Sequence, residues 1–222
     1  MKFDGDEIAM EVKTFTFNPF MENTYLVFDH TAEAVLIDPG CHDKREQEEL
    51  TSFVEEKGLK IKLILNTHGH IDHVLGNAFA KDKFNAPLWI GDKDEETLRA
   101  VEVYASNYGF QNYQPASPDR LLTDKDVIEF GNSSFKIVFV PGHAPGHIAF
   151  YNEAENVLIG GDVLFENSIG RTDLPGGDYD TLIDSIKTKF FKLKDDMVVY
   201  PGHGGTTTIG IEKVSNPFCR IG

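Results

Sequence analysis

The sequence predicts an α/β protein in which two β-sheets are covered by helices within one domain, residues 1–222. Two observations carry this expectation. Short apolar runs of strand character alternate with amphipathic stretches of helical period, in the order β-rich, βαβα, β-rich, αβ. No internal repeat, low-complexity tract or Pro/Gly/Ser linker divides the chain, and 222 residues suffice for one substantial core.

The elements follow in order. Val12–Phe17, Thr24–Phe28 and Ala34–Asp38 read as early strands from alternating or continuous apolar residues. Asp43 with Glu46 forms a capping box for a helix that buries Leu50, Phe53 and Val54 and stops at Gly58. Ile61–Leu65 is apolar on both faces, as a buried strand requires. Asp92 and Glu95 suggest a second capped helix with Leu98, Val101 and Ala105 on one face. Phe135–Val140 and Asn156–Gly161 read as strands. Leu182, Ile183, Ile186 and Phe190 mark an amphipathic helix beginning near Asp178, and Met197–Tyr200 is the last clear strand.

Bulk composition narrows the classes of function. A net charge of −15 argues against a nucleic-acid partner, whose phosphates would be repelled over most of the surface. No apolar run approaches the roughly 20 residues needed to span a bilayer, and the acidic start lacks the apolar core of a secretory signal. A cytoplasmic protein without a membrane partner is expected. Cys41 and Cys219, far apart in sequence, read as two reduced thiols.

The chemistry concentrates after the strands. Thr67-His-Gly-His-Ile-Asp-His73 follows the strand ending near Leu65, and imidazoles and carboxylates at this density suit a divalent metal of the zinc, iron or manganese kind. His68 and His70 alternate about Gly69, so one turn can aim both at one ion, and Asp72 and His73 can serve a second. A purely structural reading makes Asp72 an N-cap. Three further segments weigh against it, because each places a His or Asp just beyond a strand: Val-Pro-Gly-His143, Gly-Gly-Asp162 and Tyr-Pro-Gly-His203. Strand C-terminal ends meeting at one edge of a sheet sandwich would gather all four into one site.

HxHxDH, PGHxPGH, GGDxLF and YPGHG, in this order and spacing from about Phe15 to Pro217, resemble the metallo-β-lactamase superfamily, and within it the short bacterial hydrolases of the glyoxalase II (hydroxyacylglutathione hydrolase) branch. The resemblance implies an αββα sandwich and two divalent ions, zinc first, with iron or manganese as alternatives. His68, His70 and His143 would hold one ion and Asp72, His73 and His203 the other, with Asp162 bridging. Asp38 would brace the ligand loop, although Asp38-Pro-Gly also reads as a turn. His147 is expected to be a buried hydrogen-bonding residue, and His30 and His42 match no ligand motif. Asp72 and Asp162 would take part in catalysis, in which two cations acidify a shared water for attack on a small-molecule thioester or ester. No Ser or Cys nucleophile is required.

The resemblance also separates branches. His70 is not the Glu of flavodiiron oxidases, and His73 stands where class B β-lactamases usually carry a non-ligand residue. About twenty residues follow His203, so the helical C-terminal domain that supplies glutathione contacts in full-length glyoxalase II is not expected. Gly170-Arg-Thr-Asp173 also occurs in mono-iron persulfide dioxygenases, the alternative reading, where residues matching His68, His143 and Asp162 form the iron site. Arg171 could clamp a substrate carboxylate, or pair with Asp173 or Asp178 to shape its loop.

Overall fold

In the computed structural model, which describes residues 10–221, twelve strands form two six-stranded sheets laid face to face. The first sheet contains β1 (Glu11–Phe17), β2 (Glu22–Phe28), β3 (Glu33–Ile37), β4 (Lys60–Asn66), β5 (Leu88–Gly91) and β6 (Arg120–Leu122) in sequential order. The second runs from β7 (Val127–Phe130) through β8 (Ser133–Phe139), β9 (Ile148–Asn152) and β10 (Val157–Gly161). A small hairpin of β11 (Leu164–Phe165) and β12 (Ser168–Ile169) leaves the sandwich before β13 (Val198–Pro201) and β14 (Thr207–Thr208) complete the second sheet beside β10. Helices α1 (Lys44–Glu56), α2 (Ile71–Val74), α3 (Asn77–Phe84), α4 (Glu95–Tyr104), α5 (Tyr179–Thr188) and α6 (Ile209–Ser215) occupy the connections.

Burial explains the layering. Tyr25, Val35, Ile37 and Leu65 of the first sheet meet Phe130, Phe135, Phe150 and Ile159 of the second in the central core. The outer face of the first sheet, with Phe17, Leu26, Leu36 and Ile64, is covered by Leu50 and Val54 of α1 and Ala80 of α3. The outer face of the second, with Ala149, Leu158 and Val199, is covered by Leu182 and Ile186 of α5 and Ile209 of α6. Strands apolar on both faces are what a helix–sheet–sheet–helix stack requires, and β2 and β10 are buried along their whole lengths. No helix among the described residues is long and apolar enough to cross a membrane. Cys41 and Cys219 are buried free thiols.

Three local expectations are corrected. Asp43 does cap α1, its side chain accepting from the Glu46 N–H, but the Glu46 carboxylate does not return to residue 43; it accepts instead from the backbone N–H groups of Asn18 (2.8 Å) and His42 (3.0 Å). The second helix begins after Asp94, not Asp92, and has no side-chain capping bond, because Asp92 is still in the turn leaving β5 and the Asp94 carboxylate is engaged elsewhere. Phe190 lies beyond α5 in a separate 3₁₀ turn, where it still packs on the Leu182–Ile186 face.

Candidate metal centre

All four segments that carry candidate ligands leave strand C-termini at one edge of the sandwich: His68–His73 after β4, His143 after β8, Asp162 after β10 and His203 after β13. Backbone hydrogen bonds fix them to one another. The Thr67 carbonyl accepts from Ile148 N–H across the two sheets (2.9 Å), and the Gly161 carbonyl accepts from Gly202 N–H (2.9 Å).

The side chains converge as two triads. One potential ligand atom from each of His68, His70 and His143 lies within 4.8 Å of the others, and the same holds for Asp72, His73 and His203. Asp162 stands between them. Its Oδ1 is 3.4 Å from His73 Nε2, and its Oδ2 is 3.5 Å from both His143 Nε2 and His203 Nε2. His203 Nε2 is also 3.1 Å from Asp72 Oδ2.

The ring nitrogens facing away from the cluster orient four of its five histidines, the exception being His70, whose Nδ1 lies 2.8 Å from His143 Nε2. His143 Nδ1–H donates to the Arg171 carbonyl (2.8 Å), and His203 Nδ1–H to the carbonyls of Phe20 (3.1 Å) and Met21 (3.2 Å). Thr67 spends its hydroxyl proton on Asp38 Oδ2 (2.6 Å), so its oxygen accepts from His68 Nδ1–H (3.0 Å). His73 Nδ1–H donates to the same Asp38 oxygen (3.1 Å). In His68, His143 and His203 it is thereby Nε2 that is turned inward, as the atom that would meet an ion. Buried His68 Nε2, His73 Nε2 and Asp162 Oδ1 have no hydrogen-bond partner at all, which is costly for polar atoms in an interior. A mixed nitrogen and carboxylate donor set with inward lone pairs fits one or more divalent transition-metal ions.

The electrostatics follow from burial and neighbours. Burial pushes His68 and His147 well below the ordinary imidazole range, and burial together with His143 takes His70 down to about 3. Burial alone would lower His73 and His203 too, but Asp72 and Asp162 outweigh it, raising His73 well above its usual value and His203 to about 10. The two carboxylates respond reciprocally: despite burial, His73 holds both below the usual carboxylate range, helped by His203.

Asp38 is both a turn residue and a brace. It takes a left-handed conformation (φ 49°) and its carboxylate accepts from Thr67 N–H (2.7 Å), Thr67 O–H and His73. His147 is no part of either triad; its ring stacks on His68, and its Nε2 accepts from Asp162 N–H (3.0 Å). Arg171 lines the cleft above the cluster, with its guanidinium bidentate to Asp173 (2.7 Å for each bond).

Sequence reasoning missed several supports. Buried Asp94 accepts from the backbone N–H of Gly69, from Gly146 N–H (3.0 Å) and from Thr97 O–H (2.9 Å), so one carboxylate ties the His68–His73 loop to the His143–His147 loop. Neither glycine tolerates a Cβ: at 69 it would strike the Leu98 backbone nitrogen, and at 146 that of Asp94. Buried Glu22 lies 3.9 Å from His73, its pKa raised well above the carboxylate range by burial. Asp94 sits in an acidic stretch that looks like surface, and no local signal marks it. A cleft of about 1010 Å³ opens directly onto His70, Asp72, His143, Asp162 and His203.

Comparison with known proteins agrees with this geometry. Residues 17–203 match the metallo-β-lactamase superfamily. The chain is 40% identical over 211 residues to the hydroxyacylglutathione hydrolase GloC of Haemophilus influenzae, covering 94% of this chain and 98% of that one. The solved structure of TTHA1623 in a di-iron-bound form superposes with a TM-score of 0.83 at 37% identity, over 93% of this chain and 100% of that one. The BLEG-1 B3 metallo-β-lactamase gives 0.80 at 33% identity, over 94% and 99%. At that similarity, His73 does not by itself set this chain apart from the β-lactamases.

Proposed function

Because this chain belongs to the metallo-β-lactamase superfamily and is a metal-dependent hydrolase of it, we propose that it cleaves small thioesters of the hydroxyacylglutathione type, working with two divalent ions, zinc first among them. The observation that carries the two-ion reading is Asp162, whose oxygens face one nitrogen of the first triad and two of the second while Oδ1 has no hydrogen-bond partner. His68, His70 and His143 would hold one ion, Asp72, His73 and His203 the other, and Asp162 both.

When bound, such a pair of ions supplies an acidified water as nucleophile and Lewis-acid polarisation of the carbonyl. The chain supplies the rest. Asp38, Thr67 and the carbonyls of Phe20, Met21 and Arg171 hold the imidazoles in the required tautomers. Asp72 and Asp162 line the cleft as ionised carboxylates, which would hold the ions and orient the attacking water between them. The thiol half leaves through the wide cleft. No serine or cysteine is needed, and both cysteines are buried with thiols that burial pushes up, Cys219 to about 12. The relative GloC is a hydroxyacylglutathione hydrolase by name, which supports the thioester class. We place the activity in the cytoplasm, without nucleic acid or membrane as partner.

The test is metal analysis of the purified protein coupled to three assays: hydrolysis of a hydroxyacyl thioester, oxygen uptake with a persulfide, and hydrolysis of a β-lactam. Two ions per chain with thioester hydrolysis uphold the proposal. One iron with oxygen uptake and no hydrolysis establishes a mono-iron dioxygenase instead, and preferential β-lactam turnover overturns the thioester assignment.

A further inference from the structure

The cleft, at about 1010 Å³, is much larger than a hydroxyacyl group requires, and its wall differs from its floor. The floor is the ligand cluster. The wall above the second triad is aromatic: Phe20 from the β1–β2 tip, Tyr104 at the end of α4 and Tyr108 in the turn that follows. Ring centroids are 6.1 Å apart for Phe20–Tyr108 and 5.7 Å for Tyr104–Tyr108. Phe20 is 39% and Tyr108 54% exposed, a contiguous apolar surface that water covers at a cost unless a ligand does so.

Charge points the same way. Among the described residues Arg171 is the one lysine or arginine lining the cleft, and Asp173 already engages both edges of its guanidinium. Glu96 adds negative charge to the lining, on a chain of net charge −15. A tripeptide thiol with two carboxylates meets no unpaired lysine or arginine on this wall, whereas a neutral thiol meets three aromatic rings.

The wall is also fixed relative to the reacting centre. Asn18 and Met21 take left-handed conformations (φ 52° and 57°) that turn the tip over the site. The Phe20 carbonyl accepts from His203, and Asn18 Nδ2 donates to the carbonyls of Asp72 (2.9 Å) and Gly40 (3.1 Å). The backbone of the tip is thus pinned to two residues of the second triad while the Phe20 ring projects into the cleft.

We infer that the leaving half of the substrate is an uncharged aromatic or alkyl thiol seated on Phe20, Tyr104 and Tyr108; the inference rests on the hydroxyacyl-thioester part of the reading above and puts this thiol in the place of glutathione. Phe20 and Tyr108 are then specificity-determining residues. The test uses metal-loaded protein with the lactoyl thioesters of 2-phenylethanethiol and of glutathione, in the parent and in the Phe20→Ala and Tyr108→Leu variants. The aromatic thioester should have a kcat/KM at least roughly tenfold higher, and Phe20→Ala should raise its KM about 3- to 10-fold, the worth of one well-placed ring contact. KM should move more than kcat, the glutathione ester should respond less than about twofold, and metal content should be retained. A glutathione ester turned over as well as the aromatic one, or a KM insensitive to both variants, overturns the inference.

Binding of two non-hydrolysable thioethers, methyl 2-phenylethyl sulfide and S-methylglutathione, measured by calorimetry, separates this failure from that of the thioester reading. If neither thioester is cleaved, the thioester reading fails. Tighter binding of the aromatic thioether, weakened in Phe20→Ala, then still upholds the wall as the recognition surface, and equal or tighter binding of S-methylglutathione overturns it.

Discussion

Asp94→Asn removes one hydrogen-bond acceptor with almost no change of shape, and its cost follows from the geometry. Asp94 Oδ1 accepts two bonds, from Gly146 N–H and Thr97 O–H, and Oδ2 accepts one, from Gly69 N–H. The favoured orientation of an asparagine amide keeps its oxygen at the doubly bonded position and turns its NH₂ towards Gly69. The buried Gly69 N–H then faces a donor, and a buried group left in that state costs about 1–3 kcal/mol. A domain of this size loses about 2–4 °C per kcal/mol, so the melting temperature should fall by roughly 2–12 °C. Gly69 lies between His68 and His70, which places the disturbance in the first triad. Outer partners of ligands are worth about 10- to 100-fold in metal affinity, and a loss of that order is expected at the His68/His70/His143 position before the other. Differential scanning fluorimetry and competition with a chromophoric chelator measure the two quantities. A variant that melts with the parent and holds both ions as tightly refutes the role given to Asp94.

Three further outcomes can be checked directly. Asp162→Ala should strip the protein of most bound metal, while His147→Ala should retain metal but melt earlier, since Asp162 N–H loses its acceptor; elemental analysis showing the reverse pattern would undo the assignment. Arg171→Met should lower kcat/KM equally for anionic and neutral thioesters, because the guanidinium is committed to Asp173; a selective loss on anionic substrates would make it a carboxylate clamp. Asp29 accepts from Thr31 N–H (2.9 Å), Thr31 O–H (2.5 Å), Asn132 N–H (2.7 Å) and Ser133 O–H (2.9 Å). Burial alone would raise its pKa, but these bonds outweigh it and lower the value below that of the unfolded chain. Its stabilisation is therefore present above the unfolded carboxylate pKa and lost as pH falls through the folded value, so Asp29→Asn should flatten the acid limb of a plot of melting temperature against pH. Parallel curves for parent and variant would contradict this.

The cluster of candidate ligands is legible because His68–His73 are dense in sequence and each segment follows a strand that is itself legible from a run of apolar residues. His143, Asp162 and His203 are separated by many residues, but all stand at strand C-termini, and the sandwich does the rest. The unread parts lack such local marks. Strand β9 follows the His147 turn so closely that Ile148–Asn152 was not separated from the motif. Helix α3 has no strong apolar stripe and is held partly by Asn77, whose amide donates to Asn66 Oδ1 (2.8 Å). The displaced start of α4 has a tertiary cause: Asp94 serves two glycine N–H groups in other loops, and no spacing rule within the helix contains that information. The aromatic wall joins Tyr104 and Tyr108, one helical turn apart, to Phe20, which no local pattern links to them.

The pinned β1–β2 tip divides position 20 into two parts that answer to different pressures. Its carbonyl holds the proton of His203 and is supplied by any amino acid, whereas its side chain faces the cleft beside the rings of Tyr108 and Phe110. Exchange at this position, or at Tyr108 in the turn after α4, therefore alters which molecules are retained without rewriting the apparatus that acts on them. A descendant of this chain could change diet by single substitutions while its reaction stayed the same, and a laboratory library confined to the exposed positions 20 and 108 would sample that diversification without disturbing the core on which Tyr104 packs.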